Sequence, residues 1–127
     1  MLVNMNELMA KAEEGKYAVG AFNTPSLEVL RAVLEAAEEQ NMPVIIAHAQ
    51  VHGEIVPLEI MGPIMIREAK AAKVPVCVHL DHCTNIELIK KAIDLGFTSV
   101  MIDASSKEYE ENVEITREVV EYAKAHN

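Results

Sequence analysis

Short apolar stretches rich in β-branched residues alternate along this chain with longer stretches in which apolar positions recur every three or four residues. The short stretches are Tyr17-Ala18-Val19-Gly20-Ala21-Phe22, Pro43-Val44-Ile45-Ile46-Ala47, Val74-Pro75-Val76-Cys77-Val78 and Thr98-Ser99-Val100-Met101-Ile102. Each is continuously apolar rather than alternating, which predicts a strand covered on both faces. The longer stretches carry helix punctuation. Ser26 stands as an N-cap before a helix from Leu27 to about Gln40, and Pro57 opens a helix to about Ala72. Thr84 or Asn85 caps a helix to about Leu95, which Gly96 closes, and the last helix runs from about Tyr109 to Ala125. One further helix, about Asn4 to Glu14, comes before all of these.

Strands and helices alternating in this way predict βαβ units and a parallel sheet in a single α/β domain spanning residues 1–127. The repeat of about 25 to 30 residues suits a doubly wound sheet or a (β/α)8 barrel, of which four units would be half.

The strand runs end at polar residues: Asn23, His48, Asp81-His82 and Asp103. In parallel α/β folds the C-terminal strand ends are where ligands bind. Every strand must end somewhere, and often does so at a polar residue. Carboxylates and imidazoles converging on one rim are nonetheless costly to hold without a purpose. A neutral imidazole is a common zinc ligand, and a carboxylate beside a metal-bound substrate can move a proton. Asp81 and His82 are therefore the first candidates for chemistry.

Composition narrows the partners. The chain has 20 acidic and 11 basic residues, a formal net charge of -9, and no basic cluster. This argues against binding nucleic acid. A sugar phosphate remains compatible, because backbone N–H groups at helix starts hold phosphate regardless of overall charge. No apolar run reaches the roughly 18 residues of a membrane span. The N-terminus has no basic start followed by an apolar stretch, and the two cysteines, Cys77 and Cys83, do not form a disulfide framework. The expected location is the cytoplasm.

The run from Val74 to His82, followed by Gly96-Phe97-Thr98-Ser99-Val100-Met101-Ile102-Asp103, resembles the class II fructose- and tagatose-bisphosphate aldolases. So do Gly20-Ala21-Phe22-Asn23 and Tyr109-Glu110-Glu111-Asn112-Val113, with Thr116 and Val119-Val120 after it. The resemblance extends along essentially the whole chain. It implies the first half of a TIM (β/α)8 barrel, with an extra N-terminal helix. It implies Asp81 as the catalytic acid/base and His82 as one of three histidines on a catalytic Zn²⁺ or other divalent cation. Asp103 is implied as an acidic residue near the metal, associated with a second cation, and Asn23 as a substrate-binding residue. The implied reaction cleaves a ketose 1,6-bisphosphate to dihydroxyacetone phosphate and glyceraldehyde 3-phosphate, the metal polarising the ketone. No Schiff-base lysine is needed, and no lysine lies in an apolar strand run.

The resemblance also implies what this half does not carry: two metal histidines, a glutamate and glycine-rich phosphate loops. A half-barrel exposes two sheet edges, which predicts a homo-oligomer or a complementing half-barrel. The alternative is a non-catalytic (βα)4 module or assembly partner derived from an aldolase. Within the matched half, Cys83 and Ala104 stand where glycine is usual, and Ala47-His48-Ala49 replaces a pattern with a glutamine and a phosphate-binding serine. Cys77 reads as a small core residue, His79 as a hydrogen-bonded interior histidine, and Met61 with Met65 as a core stripe. His48 and His52 do not read as a ligand pair, and Glu108, Glu110 and Glu111 read as a solvated helix start.

Overall fold

The four apolar runs become four parallel strands. A computed structural model describes residues 1–126; residue 127, the outer limit of the predicted domain, lies outside them. The order is α1 Met5–Gly15, β1 Gly20–Asn23, α2 Leu27–Gln40, β2 Val44–Ala49, α3 Leu58–Ala71, β3 Val76–Cys83, α4 Ile86–Leu95, β4 Ser99–Ile102 and α5 Tyr109–Ala125. A 3-10 turn, Gln50–Glu54, links β2 to α3. The strands lie side by side as β1-β2-β3-β4, every neighbouring pair parallel. This is half of a (β/α)8 barrel with one helix before it.

Caps set the helix limits. Ser26 Oγ accepts the Val29 N–H at 3.4 Å to start α2. Asn85, rather than Thr84, caps α4: its Oδ1 accepts the Glu87 and Leu88 N–H groups at 3.0 and 3.2 Å. Gly96 closes α4 in the left-handed region at φ 99°, which a glycine adopts without steric cost.

Alternation along the strands divides the sheet into two faces. One face (Val44, Ile46, Val76, Val78 and Leu80) is buried with Leu30, Leu34, Met61, Met65 and Ile89 from the covering helices. Full burial of each such side chain stabilises by roughly 1.5–3 kcal/mol. Met61 and Met65 lie in this core as expected. On the other face, Ile45 and Cys77 are buried with Leu8 of α1. α1 therefore closes the inner face near the strand starts and leaves the strand ends open.

Several strand boundaries differ from expectation. β1 begins at Gly20 rather than Tyr17, because its ladder to β2 starts with Gly20 opposite Val44. β4 begins at Ser99 rather than Thr98. β3 continues through Asp81 and His82 to Cys83, so these residues lie within a strand and not after it. β1 and β4 are the sheet's edges. Beside β1 a groove of about 520 Å³ is lined by Phe22, Val29, Val33 and Met42, with Phe22 49 % exposed. Beside β4 a second, of about 540 Å³, is lined by Ile93, Phe97, Val100 and Val119. No helix among the described residues is long and apolar enough to cross a membrane.

Candidate active site

Residues 81 and 82 are neighbours on a strand, so regular pleating would send their side chains to opposite faces. A bulge resolves this. The β3–β4 ladder pairs Leu80 with Val100 and then Cys83 with Ile102, so β3 carries one extra residue. Within it His82 takes φ 44°, a left-handed conformation that histidine tolerates better than most side chains. Such a backbone costs on the order of 1–3 kcal/mol and persists where surrounding contacts fix it. Here the bulge turns His82 to the rim, 64 % exposed, while Asp81 stays on the inner face, 28 % exposed.

The contacts that fix it come from the segment just after β4. His82 Nδ1 lies 3.0 Å from Asp103 Oδ2. Asp103 Oδ1 accepts the Ser105 hydroxyl at 2.6 Å and the Ser105 N–H at 3.2 Å. These Ser105 bonds, and then His82, pull the Asp103 carboxyl down to about 2. Asp103 is thus ionised at neutral pH and can only accept, so His82 donates from Nδ1 and presents the Nε2 lone pair. The Asp103 bond, followed by the charge of Asp81, raises the His82 pKa above 6.5.

Asp81 Oδ1 lies 4.0 Å from His82 Nε2 and 3.5 Å from His79 Nε2. His79 is held from its other side, Nδ1 to Ser99 Oγ at 2.8 Å, as the interior histidine it was expected to be. Burial lowers its pKa despite Asp81, so it stands as a neutral spacer beside the carboxylate. Asp81, His82 and Asp103 therefore meet at one rim. Asn23 does not join them. It is level with Ala47 and His79 across the sheet, two strand steps (about 10 Å) from β3, and exposed.

The departures from the family pattern have local explanations. Cys83 is buried in the helix-side core, and the positive φ of this segment falls on His82, so no glycine is required at 83. Ala104 is likewise buried with an ordinary φ. Ala49 pairs with Asp81 in register.

The sequence reading missed two residues that organise the rim. Ser105 follows Asp103 in an Asp-x-Ser pattern that itself favours a local side-chain turn. Gln50 Oε1 accepts the Thr84 N–H at 2.8 Å and Cys83 Sγ–H at 3.2 Å, which ties the β2–α3 turn to the end of β3. His48 and His52 stack edge to face, centroids 5.4 Å apart. His48 is 1 % exposed, and its buried Nδ1 has no partner among the described residues.

Four parallel βα units thus bring a carboxylate, a pinned imidazole and an acidic neighbour together at the C-terminal rim. The model of class II fructose-bisphosphate aldolases matches residues 3–127, and the chain belongs to that family. It is 45% identical to a fructose-bisphosphate aldolase of Staphylococcus epidermidis, across 96% of this chain and 44% of the relative. It is also 45% identical to a 6-phospho-5-dehydro-2-deoxy-D-gluconate aldolase of Halalkalibacterium halodurans, across 99% of this chain and 45% of that one. The crystal structure of the YdjI aldolase from Escherichia coli K12 superposes with a TM-score of 0.91 at 35% identity, across 96% of this chain and 48% of that chain. The chain thus spans about half the length of the relatives it matches.

Proposed function

We propose that this chain supplies the proton-transferring group and one metal-facing imidazole of a divalent-metal aldolase. The reaction is cleavage of a ketose 1,6-bisphosphate to dihydroxyacetone phosphate and glyceraldehyde 3-phosphate. The observation that carries this reading is the His82 ring. It is anchored through Nδ1 by an ionised carboxylate and has Nε2 open, 4.0 Å from Asp81. A carboxylate behind a histidine is the usual support of a metal-ligating imidazole.

His82 fits one position of a zinc site, and Zn²⁺ or another divalent cation there would polarise the substrate ketone. The set is incomplete: no group of three or more His, Cys, Asp or Glu among the described residues is arranged to hold an ion. Catalytic zinc takes three protein ligands, so the others come from the complementary half. Both Asp103 oxygens are already engaged, which supports an orienting role over direct binding of a second cation. Asp81 receives the proton of the hydroxyl on the carbon that leaves. That oxygen's electrons form the new carbonyl, and the broken C–C bond's pair passes to the ketone-side fragment. His79, neutral and fixed, keeps Asp81 oriented. The exposed Asn23 at the end of β1 supports a contact with the substrate's far end.

The open edges beside β1 and β4 support a partner that completes the barrel, either a second copy or a complementing half-barrel. Light scattering on the purified chain is expected to show an assembly larger than one chain. Handling of phosphorylated sugars fits the cytoplasm. Cleavage of fructose and tagatose 1,6-bisphosphates, assayed with Zn²⁺ or Co²⁺ in the assembled enzyme, is expected to fall about 10²–10⁴-fold in Asp81→Ala. Equal rates in the two proteins would sink the reading.

A further inference from the structure

The β2–α3 turn carries a hydrogen-bond donor that the chemistry above leaves unused. His52 Nδ1 accepts the Ala49 N–H at 3.1 Å. A nitrogen that accepts carries no proton, so the neutral ring's proton sits on Nε2. Among the described residues that N–H has no partner, and the ring is only half-buried. His48 packs edge-on against it, planes 80° apart, and Gln50 anchors the turn to Thr84. The donor is therefore held in a fixed place.

Strand geometry says where that place is. The N–H and C=O of one strand residue point to the same side, and the side alternates from residue to residue. The Ala47 carbonyl accepts the Thr24 N–H at 2.9 Å and the Thr24 hydroxyl at 3.3 Å, so residue 47 faces β1. Ala49, two residues on, faces the same way, at a level β1 does not reach because it ends at Asn23. His52 fills that vacant rung. Its ring is therefore bound on the β1 side of Ala49, while β3, on the other side of Ala49, carries Asp81. A sugar with its reacting carbons at Asp81 and His82 and its chain running toward β1 would meet this N–H.

We infer that His52 is a specificity-determining residue, whose Nε2–H donates to an oxygen on the end of the substrate remote from the cleaved bond. The ligand class rests on the aldolase reading; the donor's placement does not. The acceptor is either a phosphoryl or a hydroxyl oxygen, and two probes separate them.

The test uses ¹⁵N-imidazole NMR on the full chain at pH 8, with inorganic phosphate and glycerol as probes. Three proteins are compared: wild type, His52→Phe, which keeps the ring shape without hydrogen bonds, and His52→Gln, which keeps an acceptor and a donor. The expected result is a His52 proton on Nε2 and a resonance that moves with one probe. His52→Phe should bind that probe about tenfold more weakly, a change of about 1.4 kcal/mol. His52→Gln should recover most of the loss. A phosphate response assigns a phosphoryl acceptor, and a glycerol response a hydroxyl. A proton on Nδ1, no response to either probe, or equal binding by His52→Phe and wild type would overturn the inference. None of these readouts requires metal or turnover, so the inference and the aldolase reading can fail separately.

Discussion

The two halves of the open rim are built differently. At β3–β4, every group near the reacting position is held by another: Ser105 holds Asp103, Asp103 holds His82, and Ser99 holds His79 beside Asp81. At β1–β2, Asn23 is exposed, His48 keeps a buried nitrogen without a partner among the described residues, and the small Ala47 and Ala49 flank it. The first half resembles machinery whose geometry must not vary. The second leaves a ring nitrogen of His48 and one of His52 without partners among the described residues.

The contrast can be broken from the β3–β4 side first. His82→Ala is expected to have the largest effect, removing metal from the assembled enzyme; elemental analysis showing metal still bound would end the account of His82. Asp103→Asn comes next. It leaves the ring without its ionised anchor, so metal affinity should fall about 10–100-fold. The same change should lower the His82 titration midpoint toward 6.5, followed by NMR, since the Asp103 bond is the main cause of its raised value.

On the β1–β2 side the effects should fall on stability. Burial, and then the nearby His52, lower the His48 pKa from 6.5 to about 4. The unfolded chain therefore binds that proton more readily. The stability is fully present above pH 6.5 and is lost as pH falls toward 4, by about 3 kcal/mol. His48→Phe removes the titrating group and should flatten this acid limb in denaturant unfolding at pH 7 and pH 4. An unchanged slope would show that His48 is not the cause. Gln50→Ala should have the smallest effect, about 1 kcal/mol in thermal unfolding, from the loss of its bonds to Thr84 and Cys83.

Much of this was legible in the sequence, for identifiable reasons. Continuous apolar runs such as Val44–Ala47 mark strands covered on both faces, and Ser26, Asn85 and Gly96 mark helix limits through their own side chains or lack of one. Asp81, His82 and Asp103 could be named because they interrupt or end such runs. The bulge that makes them converge was not legible, because an extra residue in one strand shows only against its partner's register. The same holds for the link from Gln50 to Thr84, 34 positions away, which leaves no local pattern. His48 and His52 do not read as a ligand pair in the sequence. In the 3-10 turn, the His52 ring folds back onto the backbone of Ala49.

The central claim is a division of labour, with His82 facing the metal and Asp81 moving the proton. Measuring zinc content and ketose-bisphosphate cleavage in the same preparations of Asp81→Asn tests it most directly. The account predicts zinc retained at the wild-type level with cleavage reduced at least about 10²-fold. Cleavage at the wild-type rate, or zinc lost together with activity, would contradict it.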